Sequence, residues 1–139
     1  MIHINFLTVI IAAIAAFIIG FLAHGPVGGK LWIRLANIHP TGNEKFSDMY
    51  GQMFWNLVVN IVTAFALAVV YQFAVLSSVF QMSGLSLGLL CGFIVWAGFL
   101  VTSSSIDVIW MGKPAKLWIF EACSSLVVTL AMGAIIALW

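Results

Sequence analysis

Residues 6–23 read FLTVIIAAIAAFIIGFLA, a run from Phe6 to Ala23 without one charged side chain. Wound as a helix at about 1.5 Å per residue, it is long enough to cross a hydrocarbon core about 30 Å thick. His24-Gly25-Pro26 closes it with a turn sequence. A secretory leader is the alternative, and it is disfavoured because Met1–Asn5 carries no Lys or Arg.

Three more apolar runs follow, at about 50–76, 85–110 and 117–139. Ser47-Asp48 stands before the second as an N-cap with an acidic first turn. Gly112 and Pro114 separate the third from the fourth. The second and third are longer than a span requires and are expected to tilt or protrude. The expected architecture is an all-α membrane bundle of four helices forming a single domain.

Composition agrees. The chain is 64% hydrophobic and 6% charged, against about 25% charged in soluble domains. A soluble chain of 139 residues could not hide that much apolar surface. The net charge of +1 offers nucleic acid no basic patch. Cys91 and Cys123 sit inside apolar runs and read as small packing residues, with no disulfide framework and no metal site.

Lys30, Arg34 and Lys45 lie between the first and second runs, and Lys113 and Lys116 between the third and fourth. The termini and the 77–84 link carry no Lys or Arg. The positive-inside rule therefore predicts both loops, about 24–49 and 111–116, in the cytoplasm and both termini outside. Trp32, Trp110 and Trp118 would then lie near one interface and Trp139 near the other. In the first loop, Leu31, Trp32, Leu35 and Ile38 keep a helical period opposite Lys30 and Arg34. Two readings fit, an interfacial helix and an amphipathic turn packed on the bundle.

Small residues recur at intervals of four: Ala12, Ala16, Gly20; Gly84, Gly88, Gly92; Ser125, Thr129, Gly133, Ala137. In lipid, such rows let helix backbones approach closely. They are expected to pack the bundle, or to dock it on another protein or a second copy.

Polar residues inside the runs are expensive there. Asn56, Asn60 and Thr63 share one helix face, Ser103 and Asp107 another, Glu121 and Ser125 a third, and His24 ends the first helix. All lie toward the loop side. Two explanations stand: a structural network pairing the carboxylates with Lys30, Arg34 or His24, and a polar vestibule for a proton or solute.

Other chemistry finds little footing. His24 lacks a paired site for a haem or pigment, so no cofactor is expected. Ser103-Ser104-Ser105 lacks a positioned base. Gly25–Lys30 lacks phosphate-loop spacing. No enzyme is predicted.

The stretch Gly20-Phe21-Leu22-Ala23-His24-Gly25-Pro26 with Gly29-Lys30-Leu31-Trp32 resembles the signature of the domain of unknown function 1761 family. Gly92–Phe99, Gly112-Lys113-Pro114 and the terminal Met132–Trp139 extend the resemblance over nearly the whole chain. Ala23-His24 stands where the family usually has two aromatics, and Glu121 where it is expected to have an amide. The resemblance implies a small bacterial-type four-helix membrane protein and supplies no activity. The expected role is a scaffold or accessory subunit of a larger inner-membrane complex. The alternative is a small oligomeric transporter or channel built on the cytoplasmic-side polar cluster.

Overall fold

The computed structural model describes residues 4–39, 46–77 and 79–139. Four helical rods make the bundle: α1 (Phe6–His24), α3 (Tyr50–Ser77), a third rod running Gly84–Trp110, and α6 (Ala115–Leu138). All four are long and apolar enough to cross a membrane. A short helix, α2 (Gly29–Leu35), follows α1. No strand occurs among the described residues.

Local chemistry sets the ends. Asn5 caps α1, its side-chain oxygen accepting from the backbone N–H groups of Leu7 at 3.0 Å and Thr8 at 3.4 Å. Such a cap is worth about 1 kcal/mol. Ser47 and Asp48 fall inside a 3-10 turn, Phe46–Met49, that precedes α3. The expected cap is thus drawn into a tighter turn of its own. Pro114 directly precedes α6, where its missing N–H costs nothing. Gly112 adopts φ +69, which lets the Met111 and Lys113 N–H groups both reach the Asp107 carbonyl.

The third rod is not uniform. It consists of α4 (Gly84–Val95), a π-helical segment (Trp96–Val101) and α5 (Thr102–Trp110). A π turn shifts backbone pairing by one residue and leaves carbonyls short of donors. The hydroxyls of Thr102, Ser103, Ser104 and Ser105 donate back to carbonyls of residues 98–102.

α6 is the hub. It packs on α1, α3 and α4, while α3 also touches α1 and α4. The closest approach is between α4 and α6. A Cβ on Gly88 would strike the Gly133 carbonyl, one on Gly133 would strike the Gly88 carbonyl, and one on Gly92 would come within 2.6 Å of the Thr129 carbonyl. Ala12, Ala16 and Thr129 are likewise buried. Two members of the rows stand apart: a Cβ on Gly20 or Gly84 would meet nothing within 4 Å.

The core lies toward the end that holds the start of α1 and the end of α6. It comprises Val9, Ala12, Ala13 and Ala16 of α1, Ala64, Leu67, Ala68 and Tyr71 of α3, Leu87 and Cys91 of α4, and Met132 and Ile136 of α6. We call this the closed end, and the opposite end, with the two loops, the open end. Outward-facing apolar side chains such as Phe54 and Trp55, 61% and 66% exposed, are suited to lipid contact. Cys91 is buried, Cys123 is exposed, and both are free thiols.

Candidate functional site

At the open end α3 contributes no buried residue before Ala64, and α5 contributes none at all. The helices part there around a cavity of about 430 Å³ between α1, α3 and α6. Ligand cavities in proteins run from about 300 to 1,000 Å³, with mostly apolar walls and a few placed polar groups. A second pocket at the closed end, near Thr8 and Gln72, measures about 80 Å³. That is room for a few waters at about 30 Å³ each, so the larger cavity is the candidate site.

The α1 side is apolar, with Phe17 and Phe21, and Trp32 of α2 extends it, while Met49, Met53, Leu100 and Val128 add apolar surface from the other elements. The α3 and α6 sides also carry polar side chains. Gln52, Asn56, Asn60 and Thr63 climb α3, spanning about 16 Å at 1.5 Å per residue. Glu121, Ser124, Ser125 and Thr129 do the same on α6. Periodicity explains both ladders, because residues three and four apart share a helix face.

Hydrogen bonds within the site leave capacity over. Asn60 donates Nδ2 to the Asn56 carbonyl at 2.9 Å and to Asn56 Oδ1 at 2.7 Å. Asn56 Nδ2, Asn60 Oδ1, the Gln52 amide and the Ser124 hydroxyl have no partner among the described residues. Thr63 donates to the Val59 carbonyl, and Thr129 to the carbonyls of Ser125 and Leu126. Ser125 has spent its donor: it donates to the Ala122 carbonyl and accepts from the Trp96 indole, which also reaches Ala122 at 2.8 Å.

His24 closes α1 at the mouth. Its Nδ1 donates to the Gly20 carbonyl at 3.0 Å. Its ring stands edge-on between Trp32 and Phe120 at centroid distances of 5.7 and 5.6 Å. Gly28 allows this corner, since a Cβ there would meet the Ala23 carbonyl and the Phe120 ring. Lys113, from the loop, bonds Glu121 and lies 3.8 Å from Asp107. The loop lysine, not Lys30, Arg34 or His24, is therefore the carboxylates' partner, because the turn at Gly112 folds it back over both.

The expected polar cluster divides. His24, Asn56, Asn60, Glu121 and Ser125 line the cavity. Ser103 bonds carbonyls of its own helix, and Asp107 has a side chain 45% exposed, so α5 keeps both off the lining. Lys30, Arg34, Lys113 and Lys116 all lie at the open end, with Trp32 the member of that group that enters the lining. Trp118 ties α6 to α5 through Ser104 at 3.0 Å. Sequence reasoning missed Gln52 and Ser124. Gln52 carries a legible signal, because it stands four residues before Asn56 and eight before Asn60. Among the described residues, no group of three or more His, Cys, Asp or Glu is placed to hold a metal.

A family model described as a protein of unknown function (DUF1761) matches residues 7–137. No curated protein matches the chain. No solved structure matches it.

Proposed function

Because the chain belongs to the DUF1761 family of proteins of unknown function, we propose a function from the cavity itself: non-enzymatic binding and transfer of a small molecule within the bilayer. The observation that carries it is the cavity of about 430 Å³, apolar on its α1 side, with hydrogen-bonding groups left uncommitted on its α3 and α6 sides. Uncommitted amides at membrane depth cost free energy unless water or a ligand meets them.

The accessory-subunit reading has less support. Of the ten small residues in the three rows, which could pack the bundle or dock it elsewhere, eight are used within the chain: Ala12, Ala16, Gly88, Gly92, Ser125, Thr129, Gly133 and Ala137. The Thr102–Ser105 hydroxyls are committed to helix carbonyls, which supports a non-enzymatic role for that run. The Lys and Arg distribution supports outside termini and a cavity mouth facing the cytoplasm. Resemblance to small bacterial membrane proteins supports the inner membrane. With one side of the cavity open, a second copy or a partner protein is a natural cover.

Gly20 supplies the test. It lines the cavity, and a Cβ there meets nothing, so Gly20→Leu starts a side chain from open space and carries it into the cavity. Native mass spectrometry of protein from its own membranes should show a bound small molecule in the parent. The Gly20→Leu variant should lack it at unchanged thermal stability. Equal occupancy in both, or none in the parent, would overturn the proposal.

A further inference from the structure

We infer that the cavity takes an uncharged amphiphile, with a hydroxyl or carbonyl head held between α3 and α6 and an apolar body along α1. This rests on the binding function proposed above and names its ligand class.

Charge comes first. No Lys or Arg lines the cavity among the described residues. Its one carboxylate, Glu121, is already bonded to Lys113. Apart from His24, whose Nδ1 is already given to the Gly20 carbonyl, a charged ligand would enter without a counter-charge, and an unpaired ion in a low-dielectric site is far costlier than a neutral polar group. A cation could compete only by displacing Lys113 from Glu121, its closer carboxylate, which leaves the ammonium group with Asp107 alone at 3.8 Å.

Hydrogen bonding comes second. The groups left over are of both kinds. Asn56 Nδ2 is a donor, Asn60 Oδ1 is an acceptor, and the Gln52 amide and Ser124 hydroxyl are both. A head of hydroxyls or carbonyls answers that mixture, whereas a hydrocarbon leaves it unmet. Gln52 and Asn56 are exposed on a helix otherwise suited to lipid, so a partner there recovers a desolvation cost as well as a bond.

Shape comes third. Phe17 and Phe21 face the α3 ladder from α1, with Trp32, Met49 and Met53 toward the mouth. Methionines and aromatics adapt to an apolar body of irregular outline. Gly20 leaves open space between these walls.

The experiment compares three ten-carbon probes that differ in the head: monodecanoylglycerol, decanoate and decyltrimethylammonium. The full chain is placed in phosphatidylcholine nanodiscs at pH 7, and binding is read from tryptophan fluorescence. Monodecanoylglycerol should bind at least about tenfold more tightly than either charged probe. Gly20→Leu should abolish its binding, and Asn56→Leu with Asn60→Leu should weaken it about tenfold. If Gly20→Leu removes binding but a charged probe binds most tightly, the ligand class is wrong and the site stands. If Gly20→Leu changes nothing for any probe, the site fails and the ligand class with it. If the asparagine variants bind monodecanoylglycerol as the parent does, the head is not held where we place it.

Discussion

The closed end and the open end are built from the same four rods, yet they pack by opposite rules. At the closed end, Gly88, Gly92 and Gly133 bring α4 and α6 to backbone contact, and alanines do similar work on α1 and α3. At the open end, Gln52, Asn56, Asn60 and Glu121 occupy the inner faces and a cavity replaces the core. In lipid, helices gain nothing by hiding apolar surface, so association depends on close contact and on polar bonds. Small residues supply the first. The polar residues supply the second only in part, because many of their bonds stay within one helix, as in Asn60 to Asn56 and Thr63 to Val59.

The largest expected effect breaks the closed end. In Gly133→Leu, the new side chain meets the Gly88 backbone, which cannot give way. Overpacking of this kind costs about 1–3 kcal/mol and sometimes more. We expect a sharply lowered melting temperature in detergent, or no folded protein. A stable Gly133→Leu protein would mean that α4 and α6 do not touch there.

The next effect tests the closer of the two ion pairs that Lys113 makes at the open end. Glu121→Leu removes the partner of Lys113 and leaves Asp107 at 3.8 Å as its remaining carboxylate. The lysine and glutamate side chains are 22% and 30% exposed, so the cost should lie near about 1 kcal/mol, below that of a fully buried pair. Glu121→Gln keeps an acceptor for Lys113 and should cost less. Thermal unfolding of the two variants checks the order, and a Gln variant less stable than the Leu variant would contradict the pairing.

These two sites also mark what the sequence made legible. The spans were readable because each is an apolar run with hardly a charge in it. The glycine rows were readable as packing faces, though not their partners, because a four-residue repeat drifts around a helix and only some members reach a neighbour. Gly88 and Gly92 do; Gly84 and Gly20 do not. The polar cluster was readable as residues at one depth. Its division was not, since that depends on which residues of the third rod reach the wall: Leu100 of the π segment does, and Ser103 and Asp107 of α5 do not. Only the Thr102–Ser105 hydroxyl run hints at the π segment locally. The Lys113 pairing depended on the Gly112 turn, which spacing alone does not reveal.

A smaller effect concerns the tie between the halves. Trp96 opens the π segment and donates its indole N–H to Ala122 and Ser125 on α6. Trp96→Phe keeps most of the ring and loses the donor. The expected cost is about 1 kcal/mol, the usual net worth of one hydrogen bond. If the tie holds the third rod in register, hydrogen exchange should quicken in 96–110 and remain slow in 84–92. Uniform quickening along the rod would show that Trp96 stabilises the bundle without acting as a boundary.

The smallest effect sharpens the contrast most, because it has the opposite sign. Gly20 and Gly133 are both helix glycines, and a propensity scale treats them alike. A Cβ on Gly133 meets the Gly88 backbone, whereas a Cβ on Gly20 meets nothing within 4 Å. Gly20→Ala therefore adds a methyl group to a cavity wall with no steric penalty. It also removes glycine's extra backbone freedom in the unfolded state, a gain of about 0.5–1 kcal/mol in a helix interior. The melting temperature should rise slightly, while Gly133→Ala should lower it. Both substitutions add the same carbon to the same kind of backbone, so only the space beside them can separate the outcomes. If Gly20→Ala destabilised as Gly133→Ala does, α1 would have to be packed at its open end, and the cavity would not be there.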